Sequence, residues 1–201
     1  MSSTERRPTE LRTPKFRVSY PHLFKPKLNE LSNKYEFTVH ALFPKNTNMK
    51  PFEKAIDAAV KDMWNGKKPA KFRHPIKDGD EMDNPQYEDH WVISFKSSED
   101  YPPRVVTRRK NSDGKFIDAT PKEFYGGCYA HAVVNAFAYD TKVNKGVSFG
   151  LINIQKLEDG EKFGGAGGSI AEKDFADFED DSEGIETDEA EENSDEDFDF
   201  G

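Results

Sequence analysis

The chain has 201 residues, one cysteine, 29 Lys and Arg against 38 Asp and Glu, and a formal net charge of −9. A single Cys128 excludes an intramolecular disulfide and a cysteine-based zinc site. The polar N-terminus lacks the apolar run of a signal peptide and no stretch approaches the ~20 apolar residues of a membrane span, so a cytoplasmic protein with no membrane partner is expected.

Residues 1–14 combine charge, Pro and Thr without an apolar period and are expected to form a mobile arm that can carry Arg6, Arg7 and Arg12 to a phosphate backbone. From Lys15 to Tyr20 the sequence alternates, with Phe16, Val18 and Tyr20 on one face and Lys15, Arg17 and Ser19 on the other. This is the pattern of a half-buried strand. Tyr35 to Phe43 repeats it, and the two strands should pair across a connection over residues 21–33. Between Pro51 and Trp64 the period changes to that of a helix, with Phe52, Ala55, Ile56, Ala59, Val60, Met63 and Trp64 on one stripe. Gly66 ends it, and a basic loop with Lys67, Lys68, Lys71 and Arg73 follows.

After an acidic turn at Asp78 to Asp83, a strand returns in His90 to Lys96, and Arg104 to Thr107 reads as a short extended piece. The longest alternation runs from Cys128 to Tyr139. Small residues occupy one face, and Tyr129, His131, Asn135, Phe137 and Tyr139 occupy the other, either as the floor of a groove or packed beneath the helix. Val147 to Leu157 gives a last strand with bend points at Gly146 and Gly150. Five or six strands and one helix predict a mainly β domain over residues 15–160, a small barrel or curved sheet with a helix at one end. Residues 161–170 read as a Gly-rich linker. Residues 171–201 hold 16 acidic residues and one Lys, a charge of −15, and are expected to be a disordered acidic tail. The remaining 170 residues carry 28 bases against 22 acids, or +6. A basic domain joined to a polyanion suits nucleic-acid binding.

The sequence contains no phosphate-cradling GxxxxGK[ST] and no HExxH, so no catalytic, metal or cofactor site is assigned. Asp78, Asp80, Glu81 and Asp83 offer a minor alternative as an enzymatic carboxylate cluster, and Cys128 reads as a buried thiol. Binding a single strand needs cations for phosphates and aromatic faces for bases. The chain interleaves the two. Candidate DNA-binding residues are Lys15, Arg17, Tyr20, Phe24, Lys25, Lys71, Phe72, Arg73, Tyr87, Arg104, Arg108, Arg109, Lys110 and Tyr125, with Tyr101 a further loop aromatic. The run from Arg104 to Lys110 is the densest basic cluster.

Six stretches carry a resemblance: RVSYPHLF at 17–24, KYEF to FPK at 34–45, DGDE at 78–81, YGGCY at 125–129, KGVSFGL at 145–151 and DGE at 159–161. Their order and spacing resemble phage-encoded single-stranded DNA-binding proteins, which have one OB-fold domain followed by an acidic tail. The resemblance implies an OB-fold-like five-stranded barrel with one α-helix that coats single-stranded DNA during phage DNA replication and recombination, without enzymatic activity. It also implies that the tail, through Asp195, Glu196, Asp197, Phe198, Asp199 and Phe200, recruits replication proteins such as a polymerase or helicase. Such tails end in Phe, whereas here Gly201 follows Phe200. Duplex DNA as a second ligand and a homodimer are left open, and the alternative function is an acidic-tailed chaperone or scaffolding protein with a protein partner.

Overall fold

Wherever apolar residues alternate, the chain has one face to bury, and most of these segments pair around a single core. The computed structural model describes residues 6–30 and 32–163. Among them are ten strands and one α-helix: β1 (Glu10–Arg12), β2 (Phe16–Asn29), β3 (Lys34–Pro44), α1 (Lys50–Trp64), β4 (Phe72–Arg73), β5 (Ile76–Asp78), β6 (His90–Ser98), β7 (Arg104–Lys110), β8 (Phe116–Asp118), β9 (Tyr129–Asp140) and β10 (Lys145–Glu158). Strands β2, β3, β6, β10 and β9 pair in that order, and β9 returns to β2 to close a five-stranded barrel. β6 and β10 run parallel, whereas β2–β3, β3–β6 and β9–β10 are antiparallel. The fold is mainly β and OB-fold-like. No described helix is long and apolar enough to cross a membrane.

Five phenylalanines form a closed circuit inside the barrel. Phe16 contacts Phe43 (ring centroids 5.4 Å apart) and Phe95 (5.7 Å), Phe43 contacts Phe52 (5.1 Å), and Phe149 meets both Phe52 (5.6 Å) and Phe95 (6.2 Å). The rings come from β2, β3, β6, β10 and α1, so the helix plugs the barrel through Phe52. Tilted and edge-on pairs of this kind contribute about 0.5–1.5 kcal/mol each beyond area burial. The small residues of β9, Ala130, Ala132, Val134 and Ala136, are buried and let α1 approach closely. Pro51 opens the helix, and Asn65, in the left-handed region at φ 49°, ends it just before Gly66. Cys128 is buried, and that burial pushes its thiol pKa up.

Several expectations are corrected. Residues 10–12 of the expected mobile arm form β1, because the edge of β9 offers a ladder (Leu11 opposite Val134) and the core accepts Leu11 and Thr13. Most of the expected connection over residues 21–33 is strand, since β2 continues to Asn29 through two register shifts. The expected short piece at Arg104 extends to Lys110 and folds back as β8, so the basic cluster is a hairpin strand. Outside the barrel interior, Val92 joins Leu42 and Tyr87 in a second small apolar cluster. Residues 161–163 of the expected linker lie against the domain. The Phe163 N–H donates to the Gly126 carbonyl and its ring packs on that second cluster. The rest of the linker and the expected acidic tail, including residues 195–200, lie outside the described residues.

Candidate nucleic-acid interface

On the outer face of the barrel, strand register lines up polar and aromatic side chains across the sheet. Proceeding from β2 through β3, β6, β10 and β9 to β1, the aligned residues are His22, Thr38, Lys96, Gly150, Asn135 and Glu10. With strands about 4.8 Å apart, this row follows about 24 Å of surface. A second row joins Arg104 on β7, Asn153 on β10, Val133 on β9 and Arg12 on β1. The bulge between Leu151 and Asn153 offsets the two rows.

Three depressions follow these rows. The first, about 350 Å³, lies between Arg12 and Arg104 with Phe116, His131 and Gln155 around it. The second, about 680 Å³, is centred on Gly150 and bordered by Tyr35, Phe137 and Tyr101. The third, about 570 Å³, is ringed by Lys27, Lys77, Lys96 and His40. The second and third share Glu36 and Lys96 as walls, and the first two are consecutive along β9 and β10. Together they form a trough over the β3–β6 face and the β9–β10 pair. Oligonucleotides bind OB folds on the face of the second and third barrel strands, which here are β3 and β6.

The charge in the trough is partly free. Arg12, Lys27, Lys34 and Lys77 have no ion-pair partner among the described residues, whereas Lys96 reaches Glu36 at 3.5 Å. Arg104 is aligned rather than free: Nε donates to Asp118 at 2.7 Å and a terminal nitrogen to the Phe116 carbonyl at 2.9 Å. Burial, reinforced by Lys77, Lys96 and His22, pushes the His40 pKa below its ordinary value. Burial and then Lys27 do the same to His22. His40 is held by Tyr87, whose hydroxyl lies 2.8 Å from Nδ1, and its ring meets that of Tyr20 edge-on at 6.0 Å.

Of the candidates read from the sequence, Arg104 lines the first depression, and Lys110 reaches it through Phe116, 5.1 Å above the ring. Arg108 is exposed on the same hairpin, while Arg109 is ion-paired with Glu123. Tyr20, 54% exposed, stands at the His40 end because its φ of 44° breaks the strand's alternation. Phe24 and Lys25 flank the same end in the shifted part of β2. On β9, Asn135 and Phe137 line the second depression, and both also border a further one together with Ala59, Asp62 and Met63 of the helix.

Other candidates fall elsewhere. Tyr87 is 3% exposed and anchors His40, so it has no face to offer a base. Lys71, Phe72 and Arg73 sit beside Lys145 and Gly146, about 13 Å along β10 from Gly150, with Phe72 packed edge-on to Trp64. Lys15, Arg17 and Tyr125 cluster at the opposite end. Lys15 pairs with Glu158, and Arg17 donates to the Glu161 carbonyl at 2.9 Å and lies 4.1 Å over the Phe163 ring. The Tyr125 hydroxyl donates to Asp159 at 2.8 Å. Asp78 and Asp80, the core of the enzymatic alternative, are both paired with Lys45, which lies over the Trp91 ring. Lys27, Lys34, Lys77, Phe116 and Tyr35 line the depressions but are not among the candidates read from the sequence. Cross-strand register was the signal that one strand at a time does not carry.

Residues 9–186 match the family described as Enterobacter phage Enc34, ssDNA-binding protein. Protein p50 of Acyrthosiphon pisum secondary endosymbiont phage 1 is 27% identical over 168 residues, 78% of this chain and 88% of that protein. Among solved structures, the single-stranded DNA-binding protein from bacteriophage Enc34 is 27% identical with a TM-score of 0.64, covering 82% of this chain and 89% of that one. The same protein in complex with ssDNA is 28% identical with a TM-score of 0.65 over 78% of this chain and 90% of that one. The single-stranded DNA-binding protein gp2.5 of bacteriophage T7, 18% identical with a TM-score of 0.52, covers 89% of this chain and 98% of its own and shares the fold. The family and these solved neighbours are binding proteins, and the chain is accordingly not an enzyme. A match over most of its length places the chain in the phage Enc34 ssDNA-binding protein family.

Proposed function

We propose that the chain binds single-stranded DNA along the trough and coats strands exposed during phage DNA replication and recombination in the host cytoplasm. The observation that carries this reading is the lining of the three depressions by cations without an ion-pair partner and by exposed rings, on the fold of a family described as ssDNA-binding. Phosphates follow Arg12, Lys34, Lys27 and Lys77, while bases meet Phe116, Phe137, Tyr35 and Tyr20. OB folds of this kind occupy roughly 4–16 nucleotides. The segment over residues 171–201, with a charge of −15, competes with DNA for the +6 domain and, once displaced, recruits replication proteins through residues 195–200.

Fluorescence anisotropy of the full chain and of a chain ending at Ser169, against labelled oligo(dT) at two salt concentrations with duplex and RNA competitors, tests both parts. Residues 161–163 must be kept, because Phe163 packs on Leu42, Tyr87 and Val92. Salt-sensitive binding that tightens on truncation is expected. Equal affinity of the two chains would remove the competing role of the tail; no binding by either would remove the DNA reading and leave a protein partner for the basic domain.

A further inference from the structure

The three depressions of the trough differ in charge. The first has Arg12 and Arg104 in its wall and no acid. Around the third, Lys27, Lys77 and Lys96 outnumber Glu30 and Glu36. The second, between them, reverses the balance, with Lys34 and Lys96 against Glu36, Glu99 and Asp100. Lys34 is open to a phosphate, but Lys96 already reaches Glu36 at 3.5 Å. Glu99 and Asp100 are exposed and have no ion-pair partner among the described residues. Their backbone is also held in place. They sit on the turn that leaves β6, where the Glu99 N–H donates to the Tyr35 carbonyl at 3.3 Å, the Tyr101 N–H to the Ser98 carbonyl at 3.0 Å, and the Ser97 hydroxyl to the Tyr101 carbonyl. Pro102 and Pro103 follow and fix two more φ angles. The turn thus keeps two negative charges on the wall of the central depression.

Such a pair separates nucleic acids by how freely each can move its phosphates. A single strand bends at every nucleotide, so its phosphates can seat on Arg12, Lys27, Lys34 and Lys77 while its neutral parts pass Glu99 and Asp100. A duplex has no such freedom. It is stiff over about 50 nm and carries one negative charge per ~1.7 Å of axis, so along the ~24 Å row it presents about 14 phosphates in two fixed lines. Wherever it lies along the row, some phosphates of one line or the other fall beside the turn. Resting on the single-strand reading above, we infer that Glu99 and Asp100 are specificity-determining residues of the trough, which set its preference for a single strand by repelling the fixed phosphate lines of a duplex. At about 4 Å in water, the repulsion between two unit charges is equivalent to about a fivefold loss of affinity.

Anisotropy titrations of the full chain against labelled oligo(dT) and a dA·dT duplex of equal length give the ratio of duplex Kd to single-strand Kd. Any competition by residues 171–201 acts on both ligands and cancels in that ratio. Glu99→Gln or Asp100→Asn should lower the ratio about fivefold each, and the two together about 25-fold. The change should shrink between about 0.05 and 0.2 M salt, as screening shortens the reach of the two charges. Both positions are exposed and the turn is held by backbone groups and Ser97, so the variants keep the fold. Glu81→Gln with Glu88→Gln, exposed and outside the three depressions, alters the net charge equally and should leave the ratio where it is. An unchanged ratio in the Glu99–Asp100 double variant would overturn the inference, as would an equal fall in the Glu81–Glu88 pair, which would make the effect one of net charge. So would a single-strand affinity that rises by the same factor as the duplex affinity, since the two carboxylates would then oppose any phosphate alike. A wild type that binds no oligonucleotide would instead remove the single-strand reading on which the inference rests.

Discussion

Tyr20 and Tyr87 show what a residue-level reading can and cannot reach. Both stand among the DNA-binding candidates read from the sequence, yet one is exposed by a left-handed backbone at the head of the trough and the other is sealed beneath it. The difference lies in what Leu42 and Val92 place over Tyr87, which local spacing does not encode. Cations divide in the same way. Arg12→Ala should weaken single-strand binding and reduce the salt slope by about 0.7, because Arg12 has no ion-pair partner among the described residues and lines a depression. Arg109→Ala, which removes a residue already paired with Glu123, should leave the slope nearly unchanged in the same titration.

His40 carries a pH prediction. Its folded pKa lies below the ordinary 6.5, chiefly through burial, so the unfolded chain binds the proton more readily. Stability is therefore full above about pH 6.5 and falls as acidification protonates the unfolded state, with His22 acting in the same direction. Urea midpoints measured from pH 7.5 down to 5.5 should decline in the wild type and decline less in His40→Gln; a flat wild-type curve would contradict this.

At the scale of elements, the helix and most barrel strands were legible because their periods are set by one buried face each. β1, the outer part of β2 and the β7–β8 hairpin were not, because β1 borrows its partner from β9 and β2 changes register twice against β3. The segment after β10 was read as linker for its glycines, but one of its contacts depends on glycine. Gly127 has φ 110°, and a Cβ there would stand 2.0 Å from the Glu161 carbonyl oxygen. Gly127→Ala should dislodge residues 159–163, release Arg17 from Phe163 and expose the Phe163 amide to rapid hydrogen exchange, while the amides of β9 stay protected. Unchanged protection at Phe163 would show that the segment holds by other means.

For the whole molecule, the division into a basic domain and an acidic end is visible in composition alone, while the trough emerges only when six strands are set side by side. The circuit of five rings makes the helix part of that assembly. Phe52→Ala should cost about 3–5 kcal/mol in a urea melt, a large share of the 5–15 kcal/mol typical of a domain. A loss below 1 kcal/mol would mean that the barrel closes without its plug.

β10 comes last among the strands and pairs with β4, β6, β7 and β9, three of these pairings being parallel and distant in sequence. Such a topology has high contact order, and chains of this kind fold in milliseconds to seconds rather than microseconds. During synthesis, β4, β6, β7 and β9 each wait with an unpaired edge until residues 145–158 are made, and the barrel has no closing partner. A chain broken off before Lys145 would hold four of the five core phenylalanines and the cations of β2 and β3 but no closed surface on which to arrange them. Unpaired strand edges of that sort associate with one another. Truncated products are thereby expected to aggregate, and only chains translated through β10 can assemble the trough.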